Sequence, residues 1–295
     1  MKNYDILIIG PVSLDYNIDC EGNERKELGG AVVASGFAAA RGGARTAIFT
    51  KSSREDTDIN NCFKDSCADI YWKQSVTTCS IRNQYLTADK EKRICTSLSV
   101  CDGFKLEELP KVKALVYQFA GLVYGDFDGE LFSEASNLGK VAVDAQCLLR
   151  YVEKDGSMQF KDWKDKFKYM PYIDFLKTDA AEAEILTGLS NRREAAKMLY
   201  SFGAKEIIIT HNTEVLVYDG SEIYTCPIRA RNLSGRTGRG DTVFAAYLTE
   251  RLKSDIKTSL LYSAALVSLK MEKPGPFREN RDDVLEYIRE FYTDF

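Results

Sequence analysis

The order of segments in this chain predicts an α/β fold: a doubly wound, mostly parallel sheet with helices on both faces and a small β lid. Three observations carry the prediction. Short apolar runs of strand length alternate with helix-period stretches along most of the sequence. The first run, residues 4–9, is apolar on both faces, as a central parallel strand must be, and Gly10-Pro11 closes it. A glycine-dense turn, residues 235–242, runs directly into a helical stretch, the arrangement that presents backbone amides to an anion. With 295 residues, 44% of them hydrophobic and 28% charged, the chain can bury a full core.

After the first strand, residues 12–19 alternate as a second extended piece carrying Asp15. Ligands of open parallel sheets lie at the carboxyl ends of strands. Asp15, expected just past such an end, is therefore a candidate for holding substrate hydroxyls, and equally fits an ordinary turn aspartate. Gly29-Gly30 precede a small-residue helix over 31–41. Paired glycines let a ligand approach the backbone closely, while the alanines that follow suit tight packing on a sheet. Residues 46–51 form the next strand, 56–68 a polar helix, and 70–72 another strand. Residues 78–86 and 93–100 alternate on either side of 87–92 and read as a hairpin. Joined to 12–19, the hairpin makes the lid, built from segments near 12–28 and 72–102.

Buried strands follow at 114–120, 141–145, 174–177 and 206–210, with helices over 129–138, 180–186 and 192–202 between them. The run 161–168, of alternating acids and bases, reads as a solvated helix face, and Tyr16, Tyr117 and Phe119 read as core aromatics or as an apolar wall for substrate. Residues 214–219 and 222–226, split by Gly220-Ser221, form an antiparallel hairpin late in the sheet. Helices over 240–253, 256–271 and 282–292 complete the chain, the last after Pro274-Gly275-Pro276. No repeat or linker interrupts this order, so one domain over 1–295 is expected.

A net charge of −4, with acids and bases interspersed, argues against nucleic acid or a membrane surface as partner. The longest apolar runs, near 31–40 and 260–269, fall short of a membrane span, and the first residues lead straight into a strand without a signal peptide. A cytoplasmic protein is expected. Eight cysteines without a C-x-x-C, beside a single histidine, predict reduced structural thiols rather than a zinc site or a disulfide framework.

The chemistry concentrates in Gly235-Arg236-Thr237-Gly238-Arg239-Gly240-Asp241-Thr242. It approaches a P-loop, except that Asp241 stands where the lysine would be. A carboxylate in a phosphate cradle repels the ligand unless it serves the nucleophile. Asp241 is therefore read as the base for an acceptor hydroxyl, with helix capping as the alternative. Arg239 either contacts a phosphate or points to solvent and offers only its amide. The first strand lacks G-x-G-x-x-G, since Gly10 alone follows it, and a dinucleotide-dependent oxidoreductase is excluded.

Several stretches together resemble the ribokinase-like (PfkB) carbohydrate kinase family. Gly29-Gly30 with Arg41-Gly42-Gly43-Ala44 is similar to its N-terminal glycine motif, and Gly238-Arg239-Gly240-Asp241 to its G-A-G-D motif, with arginine as the second residue. Asp179-Ala180-Ala181-Glu182 is similar to its N-x-x-E motif, with aspartate in place of asparagine. The string 235–242 resembles the myo-inositol kinase branch, as do Asp144-Ala145-Gln146 and the stretch 270–276.

The resemblance implies ATP- and Mg²⁺-dependent phosphorylation of a sugar or polyol, myo-inositol first. Asp241 would be the base, the amides of Gly238, Arg239 and Gly240 the anion hole, and Glu182 a Mg²⁺ positioner acting through water. Asp179, Thr210, His211 and Asn212 would border the nucleotide. Asp15, Gly29, Gly30 and Gln146 would hold the acceptor. His211 equally reads as an ordinary loop histidine. Gly235 occupies the position where potassium-using members often have aspartate, which argues against potassium activation; Ala34 in place of a ribose-contacting asparagine argues against ribose. A homodimer formed through the lid is a further expectation. Alternatives are a nucleoside or other sugar kinase of the family, and a catalytically silent sugar or nucleotide sensor. An ordinary carboxylate pKa of about 4 suffices for the base, because phosphoryl transfer needs little early proton abstraction.

Overall fold

The computed structural model describes residues 1–87 and 93–295. The expected connector of the lid hairpin, 87–92, lies outside the described residues apart from Thr87. The chain opens with β1 (Asn3–Ile9), β2 (Ser13–Ile18), β3 (Glu24–Gly29), α1 (Ala31–Arg41), β4 (Thr46–Ser52), α2 (Ile59–Cys62) and β5 (Asp69–Gln74). Next come β6 (Cys79–Tyr85), β7 (Arg93–Ser99), β8 (Lys113–Phe119), α3 (Gly129–Ala135), β9 (Lys140–Asp144), α4 (Gln146–Leu149), β10 (Arg150–Val152) and β11 (Met158–Phe160). The remainder is α5 (Lys166–Tyr169), β12 (Phe175–Asp179), α6 (Ala180–Thr187), α7 (Arg192–Ser201), β13 (Glu206–Thr210), β14 (Glu214–Tyr218), β15 (Ile223–Pro227), α8 (Arg239–Arg251), α9 (Ile256–Met271) and α10 (Arg281–Phe291).

The main sheet has nine strands in the order β15-β14-β13-β12-β9-β8-β1-β4-β5. Pairing is parallel from β5 to β13 and antiparallel for β14 and β15. β1 is an interior strand, third from the β5 edge, and its Ile6, Leu7, Ile8 and Ile9 are wholly buried, as its unbroken apolar run requires. The chain winds from β1 to β4 and β5 in one direction and through β8, β9, β12 and β13 in the other. Right-handed crossovers then place α1 on one face and α3, α6 and α7 on the other. On the first face α1 and α9 both pack against α8. The direction of winding reverses between β1 and β8, which opens a crevice at the carboxyl ends of the strands.

A second sheet of four strands, β3-β2-β6-β7, stands outside this layer. In it β2 pairs in parallel with β6, Ser13 opposite Cys79, and antiparallel with β3, Asp15 opposite Glu27. The exposed, highly charged β3 carries no apolar alternation, so the pattern gave no sign of it.

Two expectations change. The polar helix over 56–68 contracts to the four residues of α2, because Asp65 and Cys67 adopt φ of 65° and 67° and turn the chain instead. The run 161–168 is not a solvated helix face: Trp163 is buried and stacks on Tyr169, and only Lys166–Tyr169 are helical. Asp15 lies within β2, on the second extended piece, and of the two readings of Tyr117 and Phe119 the core one holds, Phe119 packing edge-on against Phe127 and Phe132.

Candidate active site

The glycine-dense turn lands at the carboxyl end of the main sheet and starts α8. Gly238 is the residue before the helix and has φ of 74°, a left-handed conformation that a side chain would strain. Among the described residues the amides of Gly238, Gly240 and Asp241 find no backbone acceptor, whereas that of Arg239 closes a long turn on the Arg236 carbonyl at 3.3 Å. Three donors and the positive end of a 13-residue helix therefore face one point. A Cβ on Gly240 would lie 3.0 Å from the Lys177 ammonium, so a side chain there would push into the site's central cation. Ser35 of α1 donates to the Asp241 carbonyl at 3.4 Å and accepts from Gln118 of β8 at 3.1 Å, tying the turn to the sheet.

Asp241 is half-buried in the first turn of α8 and does not cap it. Burial first, then the charge of Asp144, push its carboxyl up to about 6, against the pull of Lys177 and Arg150. The ordinary value expected from sequence is thus replaced by a raised one. Lys177, on β12, is buried and lies 3.0 Å from Asp144 at the end of β9 and 3.8 Å from Glu182. Burial opposes its charge, yet Asp144, Glu182, Asp241 and Asp179 together hold its pKa above the usual lysine range.

Asp179 and Glu182 form a reciprocal cap of α6. The Glu182 amide donates to Asp179 at 2.8 Å, and the Asp179 amide donates to Glu182 at 2.7 Å. Burial pushes the Glu182 carboxyl up to about 7 although Lys177 pulls it down, with Asp144 and Asp179 adding to the rise. The excess of negative charge around one lysine is what a divalent cation would relieve, and the fit to Mg²⁺ rests on that. The carboxylates do not converge as direct ligands, which suits a water-mediated hold. Among the described residues, only Cys79, Cys101 and Asp126 bring three ligand atoms within 4.8 Å of one another.

On the side of the small sheet, Asp15 takes a short hydrogen bond from Ser13, and its carboxyl is raised by burial against the pull of Ser13 and Arg93. Gly29 packs beside it, a Cβ there reaching the Asp15 carboxylate at 3.4 Å, and Gly30 begins α1 with φ of 102°. Gln146 is held between the Gly121 carbonyl, at 3.4 Å, and the Arg150 guanidinium, at 2.7 Å. The charge of Arg150 is felt by Asp15, Asp126 and Asp241, so it stands between acceptor side and base.

Of the residues expected at the site, Asp241, Gly240, Asp179 and Glu182 fall around Lys177, Gly29 lies beside Asp15, and Gln146 bonds Arg150. Thr210 is buried in β13, paired with Asp179 and donating to the Thr178 carbonyl at 3.4 Å. His211 hydrogen-bonds Thr213 at 3.1 Å, in keeping with an ordinary loop histidine. Asn212 accepts from Arg239 at 2.8 Å. Asp144, Lys177 and Arg150 did not emerge as sites from sequence. A lysine and an aspartate at the ends of otherwise apolar strands were the available signal for the first two. A separate groove of about 750 Å³, lined by Leu115, Leu138, Phe175 and Arg251, opens at the other end of the strands and takes no part in this cluster.

Comparison with known proteins gives the same picture. Residues 12–281 match the model of the pfkB family carbohydrate kinases. A pyrophosphate-dependent kinase of the ribokinase family, solved with a pyrophosphate analogue and myo-inositol, is 34% identical with a TM-score of 0.87, over 95% of this chain and 99% of that one. A pyrophosphate-dependent myo-inositol-1 kinase converted into a myo-inositol-3 kinase is 32% identical with a TM-score of 0.86, over 97% and 99%. The cytidine kinase of Thermococcus kodakarensis is 24% identical over 258 residues, 83% of this chain and 87% of its own length. Arabidopsis thaliana ribokinase, at 13% identity and a TM-score of 0.74, shares the fold over 98% of this chain and 99% of its own.

Proposed function

The chain belongs to the pfkB family of carbohydrate kinases, and we propose that within it the protein transfers a phosphoryl group to a hydroxyl of a cyclic polyol, myo-inositol first. One observation carries the reading: a turn in which the amides of Gly238, Gly240 and Asp241 lack a backbone acceptor among the described residues carries a carboxylate whose pKa is raised into the working range of a general base. The acceptor hydroxyl, held by Asp15, Gln146 and the backbone at Gly29-Gly30, hands its proton to the Asp241 carboxylate as its oxygen attacks the terminal phosphorus. The bond to the donor's bridging oxygen breaks, and the amides of Gly238, Gly240 and Asp241 take up charge on the transferring group. Arg239 and Lys177 flank that charge. Mg²⁺, which neutralises donor phosphate oxygens when bound, would be held through water by Glu182, with Asp179 beside it.

Pyrophosphate is the donor we put first. Three solved structures of relatives above 30% identity are of pyrophosphate-dependent kinases. Arg239, where the resemblance motif has a small residue, bonds Asn212 and so carries a guanidinium toward the rim on which an adenosine would lie. ATP is the second reading, favoured by the likeness of 179–182 and 238–241 to the motifs of ATP-using kinases. A homodimer formed through the small sheet, at work in the cytoplasm, completes the proposal.

The test supplies Mg²⁺ with pyrophosphate or ATP and a panel of myo-inositol, ribose, fructose and cytidine, and follows products by phosphorus NMR. Inositol phosphate formed from pyrophosphate is expected. Turnover confined to cytidine or to ribose would replace the acceptor assignment, turnover with ATP alone would replace the donor, and inertness toward the whole panel would favour a silent sensor.

A further inference from the structure

One buried charge is left unused by the mechanism above. Lys270, in the last turn of α9, is 2% exposed, and its hydrogen-bond partners among the described residues are not carboxylates but two backbone carbonyls of the glycine-dense turn. Its ammonium donates to the Gly235 carbonyl at 2.5 Å and, by a shorter contact, to the Thr237 carbonyl. No ion pair to Lys270 occurs among the described residues. Burying an ammonium without a counter-carboxylate is costly, and a chain keeps such a group only where the surrounding dipoles are fixed for it.

The turn is strapped to the same helix end by further bonds. The Gly235 amide donates to the Met271 carbonyl at 2.7 Å, and the Ser234 hydroxyl donates to the Glu272 carbonyl at 2.8 Å. A Cβ at Gly235 would fall 1.8 Å from the Lys273 carbonyl oxygen, so the strap closes only around glycine. Beyond Thr237 the chain enters Gly238 and the open amides. Two convergent carbonyl oxygens are the ligands a hard monovalent cation would use. Here the protein supplies that cation on a side chain.

We propose that Lys270 is a positioning residue, a built-in cation that pins the Gly235 and Thr237 carbonyls so that the amides of Gly238, Gly240 and Asp241 stay aimed at the transferring phosphoryl group. Its place makes an added monovalent ion unnecessary. Burial lowers the ammonium's pKa to about 8, with Asp241 pulling it upward, so Lys270 stays charged at neutral pH. The inference rests on the kinase reading for its effect on rate, and on geometry alone for its effect on anion binding.

The experiment compares the full-length wild type with Lys270→Ala and Lys270→Met, each checked by thermal melting, the second keeping the apolar volume should the first be unstable. In Lys270→Ala, kcat is expected to fall by about 100-fold or more while acceptor KM moves less than about threefold, the loss typical of disordered oxyanion donors. Ammonium chloride, able to occupy the vacated carbonyl site, is expected to restore about tenfold in Lys270→Ala, whereas choline chloride at the same ionic strength restores nothing. The wild type is expected to run equally in potassium, sodium and choline chloride.

Retention of about a third or more of wild-type kcat by Lys270→Met, or stimulation of the wild type by about tenfold in potassium, overturns the proposal. If the wild type phosphorylates no acceptor, the kinase reading fails separately and calorimetric titration with pyrophosphate decides for Lys270. Weakening by about tenfold in Lys270→Ala, reversed by ammonium, supports the positioning role, and unchanged binding removes it.

Discussion

At the scale of single residues, the raised carboxyl of Asp241 links activity and stability with opposite signs. Only the ionised form accepts a proton, so turnover is expected to fall as pH drops through about 6. A carboxyl raised from 3.8 binds a proton more tightly in the folded state, so its ionisation costs stability as pH climbs through that window, and the cost is fully present above it. Asp241→Asn is therefore expected to lower kcat by about 1,000-fold or more and to raise the melting temperature at pH 8 by about 2–4 °C per kcal/mol relieved. Donor affinity should stay within a few-fold. Near-normal turnover in that variant would remove the base assignment, as would a pH profile flat from 5 to 8. Gly240→Val places methyl groups against the Lys177 ammonium, 3.0 Å from the new Cβ, and is expected to cost about 100-fold in kcat. Unchanged steady-state kinetics would show that the amides at this turn do not face the donor.

At the scale of elements, α6 separates structure from chemistry. Asp179 caps the helix, and asparagine caps about equally well, so Asp179→Asn should leave the melting temperature within about 2 °C. The lost charge beside Glu182 should instead weaken Mg²⁺ activation, read as a higher metal concentration at half-maximal rate. A large loss of stability with unaltered metal dependence would reverse the assignment. The elements also mark what a sequence discloses. Buried strands such as β1 and β13 were legible because both faces are apolar, and the α8 turn because three glycines fall within six residues ahead of a helix. The helix expected over 56–68 was not, since Asp65 and Cys67 adopt left-handed conformations while Arg41, from another element, binds the Asp65 carbonyl at 3.0 Å. Lys177 and Lys270 stayed hidden for a related reason. A lone lysine in an apolar run looks the same whether it reaches solvent or, as here, folds onto partners more than 30 positions away.

At the scale of the whole molecule, the small sheet ends in the edge strands β3 and β7; β7 is bridged to Ser157 at Thr96 yet leaves Ile94 and Leu98 exposed. If two copies meet through this sheet, light scattering will give twice the 33.2 kDa of the chain, and Leu98→Asp will return it to a single copy with little change in its melting temperature. A monomeric wild type would refute the dimer. The path of the chain through that sheet has a consequence of its own. It contributes β2 and β3, leaves for α1, β4 and β5, and only then comes back to lay β6 alongside β2 in parallel. No single cut releases the sheet as a cassette, and no single recombination event can import one from a relative. New specificities on this scaffold have to be written by substitutions in place, each tolerated by two interleaved halves at once.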